Sequence, residues 1–395
     1  MNAMSLMPPE AAISVNDLLD HCAQIKPGQH VLILAANDGL YGGRNLVDEH
    51  AIAWIQAGVQ ARGAHPSVLW TDMPMRRNVV WPDMPTRDTV WRIPPIVKQA
   101  MKGADILISQ VLDLSSEEEL KELSETLSEF KLPMVRNMAT TAPLLMSAWA
   151  RTPYELISEI RYRVAEQIRE GERWVLTHPN GTHLEGTVGA PQRKGEGYPY
   201  WRVDGYHRPF PEGIYPAVNP IGTRGVFIFD RMMPVWARHI GVPIKFSQPV
   251  RVTVENNRVM KFEGGPEADT LTAFHKELAK IVGDEAAHAI RAPHGGVHPA
   301  AIVSAAQCPD EDYREFIASF HPSSIHMHFG KAGQCKEFPY NLHTSAELRG
   351  ATLTVGNQTL HDNGKLSVMD HPNVKEVLAR YADRPGFDGE RWLYG

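Results

Sequence analysis

Apolar residues in the first 150 positions form short blocks that alternate with stretches of helical spacing. His30-Val-Leu-Ile-Leu-Ala-Ala36 is a short, nearly continuous apolar run and predicts a buried strand. From Glu49 to Gly63, Ile52, Ile55 and Val59 recur three or four residues apart, with Trp54 beside them, which predicts an amphipathic helix. Ser67-Val-Leu-Trp70 predicts the next strand, and Val97 to Lys102 leads into another at Ala104 to Val111. Ser115-Ser-Glu-Glu-Glu119 reads as a helix start, because acids favour the positive end of the helix dipole. Met134-Val-Arg136 follows as a further strand. This order predicts an α/β domain with a parallel sheet and helices on both faces. No G-x-G-x-x-G follows the first strand, so a dinucleotide site is not expected there. Met73 to Pro95, rich in Pro, Met and Trp, reads as an irregular excursion suited to covering a site.

The pattern changes after about residue 150. Tyr154 to Arg169 predicts a helix with Leu156, Ile157, Ile160 and Val164 on one face, started by Thr152-Pro153. Short strands then dominate at Trp174-Val-Leu-Thr177, Gly225 to Phe229 and Val250 to Val254. Val250 to Phe262 predicts a hairpin that turns at Asn256-Asn257. Asp269 to Ile281 predicts another helix, and Ala351-Thr-Leu-Thr-Val355 is expected to close the sheet. Residues 1–150 are therefore read as an N-terminal α/β domain, and residues 151–395 as a strand-rich α+β domain that carries the chemistry.

That chemistry is suggested by histidine. Seven of the 18 histidines fall between His288 and His343, grouped as His294-Gly-Gly-Val-His298, His326-Met-His328-Phe-Gly330 and His343-Thr-Ser345. Imidazole is a common ligand of transition metals, and three neutral rings on strands can hold Zn²⁺ or Fe²⁺ while leaving positions open. An H-x-H pair on a strand turns both rings to one face.

Composition narrows the class. With 43% hydrophobic and 22% charged residues, the 395-residue chain resembles an ordinary globular protein with room for two cores. A net charge of −6 provides no basic field for nucleic acid or anionic lipid. The apolar runs are too short to span a bilayer, and residues 1–12 lack the zones of a signal peptide. Cys22, Cys308 and Cys335 are scattered and odd in number, in keeping with free thiols in a cytoplasmic protein. The expected partner is a small molecule, and the chain is expected to form a homo-oligomer.

A second polar group comprises His183, Glu185, Glu196, Tyr198, Trp201 and His207 in a stretch rich in Gly and Pro. Glu196, flanked by glycines, can serve as a general acid or base, or be a solvated loop carboxylate. Trp201, Tyr206 and Phe210 could wall an aromatic ligand or pack between domains. Neither a G-x-S-x-G elbow nor H-E-x-x-H is present, so hydrolysis by this chain would rely on metal-bound water.

From Trp174 to Val355 the chain resembles the 2,5-dihydroxypyridine 5,6-dioxygenases, mononuclear iron enzymes with the fold of the aminopeptidase T metallopeptidases. The likeness runs in order through Gly181-Thr-His-Leu184, Phe210-Pro-Glu-Gly213, Arg224 to Asp230, Ile244-Lys245, Val250 to Gly265, Ile290 to Gly296, His326-x-x-x-Gly330 and His343-Thr-Ser345. It implies that His294 is the first metal ligand, that His326 matches the peptidase H-x-x-x-G ligand, and that His343 begins the family's His-x-Asp pair. Glu196 falls near the dioxygenase's active-site glutamate. The carboxylate of His-x-Asp is Ser345 here, and a hydroxyl is a poor ligand. The implied metal set is therefore His294, His326 and His343, with His298 and His328 as alternative ligands or, together with Glu196, catalytic groups. The glutamates of a two-metal peptidase are missing, and His294 stands in the place of one. The resemblance implies one divalent metal, Fe(II) ahead of Zn(II) or Mn(II). It also implies ring-opening oxygenation of a hydroxylated aromatic or N-heteroaromatic compound. The competing expectations are a metal-water hydrolase or deaminase, and a binding protein that has lost the chemistry.

Overall fold

The computed structural model describes residues 7–35, 47–71, 93–110, 121–190, 207–330, 343–385 and 388–394. Glu196, Tyr198, Trp201, Tyr206 and Cys335 lie outside these, as do Ser115 to Glu119 and most of the expected excursion at Met73 to Pro95.

The strands His30–Ala35 (β1), His65–Trp70 (β2), Ile106–Ser109 (β3) and Met134–Asn137 (β4) pair in parallel, as their spacing predicts. β1 and β3 lie inside the sheet and are almost wholly buried, which accounts for their continuous apolar runs. The helix Glu49–Ala61 begins where Asp48 accepts a hydrogen bond from the Ala51 amide. A fifth parallel strand, His207–Phe210 (β7), returns from the second half of the chain, giving the order β2-β1-β3-β4-β7.

The second sheet has 11 strands and is antiparallel. Arg173–His178 (β5), Thr182–Val188 (β6), Pro220–Met232 (β8), Lys245–Glu255 (β9) and Arg258–Glu263 (β10) form its body. Ile290–Gly295 (β11), Ser324–Phe329 (β12) and Thr344–Arg349 (β13) form one wing, with β11 at the edge. Thr352–Val355 (β14) pairs with β5, but it does not close the sheet. Gln358–Asp362 (β15) and Lys365–Leu366 (β16) extend it further, because the chain turns back at Gly356 with a φ of 56°. The β9–β10 hairpin turns at Asn256 and Asn257, with φ of 46° and 64°, the left-handed pair that such a two-residue loop requires.

Each sheet has its own apolar core. The helix Glu311–Ala318 reaches across: Tyr313, Phe316 and Ile317 pack into the first core, and the Tyr313 hydroxyl donates to the Met138 carbonyl. The wing that bears the histidines is thereby tied to the parallel sheet.

Candidate metal centre

Register brings the histidines together. His294 on β11 lies opposite His326 on β12, and His328 lies opposite Ser345 on β13. Residues directly opposite in an antiparallel pair share a face, as do i and i+2 on one strand. His294, His326 and His328 therefore point to the same side. A bulge between Arg291 and Pro293 sets the β11 register, and the glycines after His294 let β11 run close to the neighbouring chain. A Cβ on Gly295 would stand 2.6 Å from the Ser324 carbonyl oxygen, and one on Gly296 would stand 2.1 Å from that of Phe320. The backbone of His294 is held against β12 because neither following residue carries a side chain.

One donor atom from each of His294, His326 and His328 lies within 4.8 Å of the other two. His294 Nε2 is 2.6 Å from His328 Nε2, and His328 Nδ1 is 2.6 Å from His343 Nε2. His343 is thus linked to the triad through His328. Its ring also sits 5.1 Å from that of Trp236, which meets His328 edge-on at 6.4 Å. Trp236, on the helix Pro234–Ile240, was not singled out by sequence reasoning, since one indole in a short apolar helix gives no signal of its own.

The other predicted residues are placed differently. His298 is fully buried, with its ring 6.5 Å from Trp149 and neither ring nitrogen hydrogen-bonded. It is not among the three histidines that converge. Ser345 is buried with no partner for its hydroxyl, and its carbonyl accepts from the Met233 amide. Glu185 belongs to an exposed ion cluster with Arg173 and Arg224.

Burial holds the rings neutral. Desolvation lowers His294 to about 3 and His326 to about 4, and drives His328 well below the usual imidazole value. The neighbouring imidazoles add to the effect at His294 and His328. Neutral rings keep the lone pairs that a cation needs. The donor set therefore fits a divalent transition metal of the imidazole-binding kind, such as Fe²⁺ or Zn²⁺. Beside His326 on the same face, Ser324 and Glu347 form a buried polar pair that composition gave no reason to suspect.

A parallel sheet joined to a curled antiparallel sheet makes this an aminopeptidase T-like fold, and three histidines on the antiparallel sheet could hold a metal. Among solved structures, the chain is similar to a 2,5-dihydroxypyridine dioxygenase from Pseudomonas putida KT2440. The TM-score is 0.59 at 13% identity, over 92% of this chain and 98% of that one. It is also similar to wild-type AmpT, an aminopeptidase T, from Thermus thermophilus, with a TM-score of 0.50 at 13% identity over 91% of this chain and 99% of that one. At this identity the likeness is one of fold. No protein family's sequence profile matches the chain, and no curated protein matches it in sequence. Among the described residues, no helix is long and apolar enough to cross a membrane.

Proposed function

We propose that this chain is a mononuclear metalloenzyme that opens the ring of a hydroxylated aromatic or N-heteroaromatic compound with O₂, using Fe(II). The observation that carries the reading is the convergence of His294, His326 and His328 on adjacent strands, all held neutral by burial. Bound iron would supply the redox chemistry that couples O₂ to the ring, and three histidine ligands leave room for both reactants. Trp236, beside His343 and His328, offers an aromatic wall for a flat substrate. His343 Nε2 can accept a hydrogen bond from His328 Nδ1–H, holding that ring in one orientation. Glu196 is proposed to move protons to and from the substrate. Its replacement by Gln should leave metal binding intact and slow turnover by about 10²–10⁴-fold. The likeness in fold to a 2,5-dihydroxypyridine dioxygenase supports this substrate class. The deciding experiment is O₂ uptake by Fe(II)-loaded protein with dihydroxypyridines, in step with loss of ring absorbance.

A second reading is a metal-water hydrolase or deaminase. It is favoured by the all-histidine donor set, since three imidazoles are also a ligand set of catalytic zinc. The fold shared with AmpT is compatible with it.

A further inference from the structure

His326 differs from its neighbours in what stands behind it. Its Nε2 lies 3.0 Å from the Ser324 hydroxyl, which in turn lies 2.9 Å from Glu347 Oε1. Glu347 faces His326 across the β12–β13 ladder and is 1% exposed. The Arg349 Nε lies 2.7 Å from the same carboxylate oxygen, and the Arg349 guanidinium also holds Glu315 at 2.9 Å. Glu315 is in turn paired with Lys245 at 3.0 Å and Arg231 at 3.3 Å. A chain of charge-assisted contacts therefore runs from His326 outward.

Hydrogen-bond direction along this chain is constrained. A carboxylate paired with guanidinium can only accept, so the Ser324 hydroxyl donates to Glu347. That leaves the Ser324 oxygen to accept, and the donor to it is His326 Nε2. The other nitrogen tells the same story. His326 Nδ1 is buried without a hydrogen bond, and the nearby Ser319 backbone makes none of normal geometry with it. A proton placed there would meet only the poorly aligned Ser319 backbone, which is costly for a buried donor, whereas a bare lone pair costs less and stays available to a cation.

We infer that Ser324 and Glu347 are positioning residues that lock His326 as its Nε2–H tautomer, so that Nδ1 is the nitrogen offered to a metal. The consequence for metal binding rests on the proposed metal centre. The tautomer itself is a property of the metal-free chain. The two can therefore fail separately.

The test uses metal-free, ¹⁵N-labelled full-length protein. Two-bond ¹H–¹⁵N imidazole spectra identify His326 by the signal lost in His326→Gln. The expected result is a protonated Nε2 and an unprotonated Nδ1. Ser324→Ala should then show the other tautomer or a mixture, and its Co(II) affinity should fall about 10–100-fold, as for other groups that orient a ligand from behind. A proton on Nδ1 in the unsubstituted protein would overturn the inference without any variant having to fold. An unchanged tautomer and an unchanged Co(II) affinity in Ser324→Ala would overturn it as well. If the unsubstituted protein shows the expected tautomer but binds no Co(II), the lock stands and the proposed metal centre falls.

Discussion

His328 Nδ1 lies 2.6 Å from His343 Nε2, while the opposite nitrogen of His328 lies 2.6 Å from His294 Nε2. A ring bridging two others in this way can bind an ion through one nitrogen and donate its remaining proton from the other. We expect His343→Ala to lower Zn(II) or Co(II) affinity about 10–100-fold, the usual cost of losing such a partner. His328→Ala should abolish stoichiometric binding. Titration monitored by Co(II) absorption separates the two. Equal losses in both variants would make His343 a direct ligand, as the resemblance implies.

The site of the missing family carboxylate gives a second contrast. Ser345 is buried, and its hydroxyl touches no partner, so Ser345→Ala should leave metal content close to that of the unsubstituted protein. His326→Ala removes an imidazole from the triad and should deplete the metal. Metal analysis after dialysis decides between them, and a loss in the serine variant as large as in the histidine variant would refute this placement.

The proposed reaction separates from its rival by oxygen and by metal. Ring opening consumes O₂ in step with substrate and fails with Zn(II), which has no redox chemistry. A metal-water hydrolase works anaerobically and accepts Zn(II) or Mn(II). Once a substrate is in hand, full activity under strict anaerobiosis would promote the hydrolase.

Acid should destabilise the fold through histidines outside the triad. His275 is lowered to about 4 and His298 to about 3, both chiefly by desolvation. His275 Nδ1 faces the Ala287 carbonyl and Nε2 the Thr344 hydroxyl, which suits the neutral ring. The unfolded chain takes up these protons near pH 6.5 and the folded chain does not, so stability is full above that pH and falls below it. At pH 5.5 each ring should cost about 1.2 kcal/mol relative to neutral pH. Denaturant midpoints across pH 7.5 to 5 measure this, and a flat profile would contradict the neutral assignment.

Much of this architecture was legible because local rules and tertiary context agree. The β1 run, the Asn256-Asn257 turn and the helix Tyr154–Gln167 each carry their own signal. β7 does not: it is four residues long and contains Pro209. Proline is tolerated there because β7 is an edge strand, a fact that only the assembled sheet supplies. The H-x-H pair was readable as a one-faced motif. His294 and His326 were reached through the resemblance, but the convergence of His328 with them was not legible, since it depends on the register of β11 and β13 against β12. Ser324, Glu347 and Trp236 were missed for the same reason. Ser324 and Glu347 meet only across a strand pair, and Trp236 reaches the site only through the packing of its helix.

The three converging rings hang from neighbouring rungs of a hydrogen-bonded ladder, next to glycines that leave β11 no room to shift toward its neighbour. Their conformational entropy is surrendered when the sheet forms, before any ion arrives. Loading should therefore be calorimetrically quiet: a heat of coordination and proton exchange with little heat-capacity change, and circular dichroism that hardly moves. Such a site discriminates among ions by the geometry they accept and not by a folding transition that they drive.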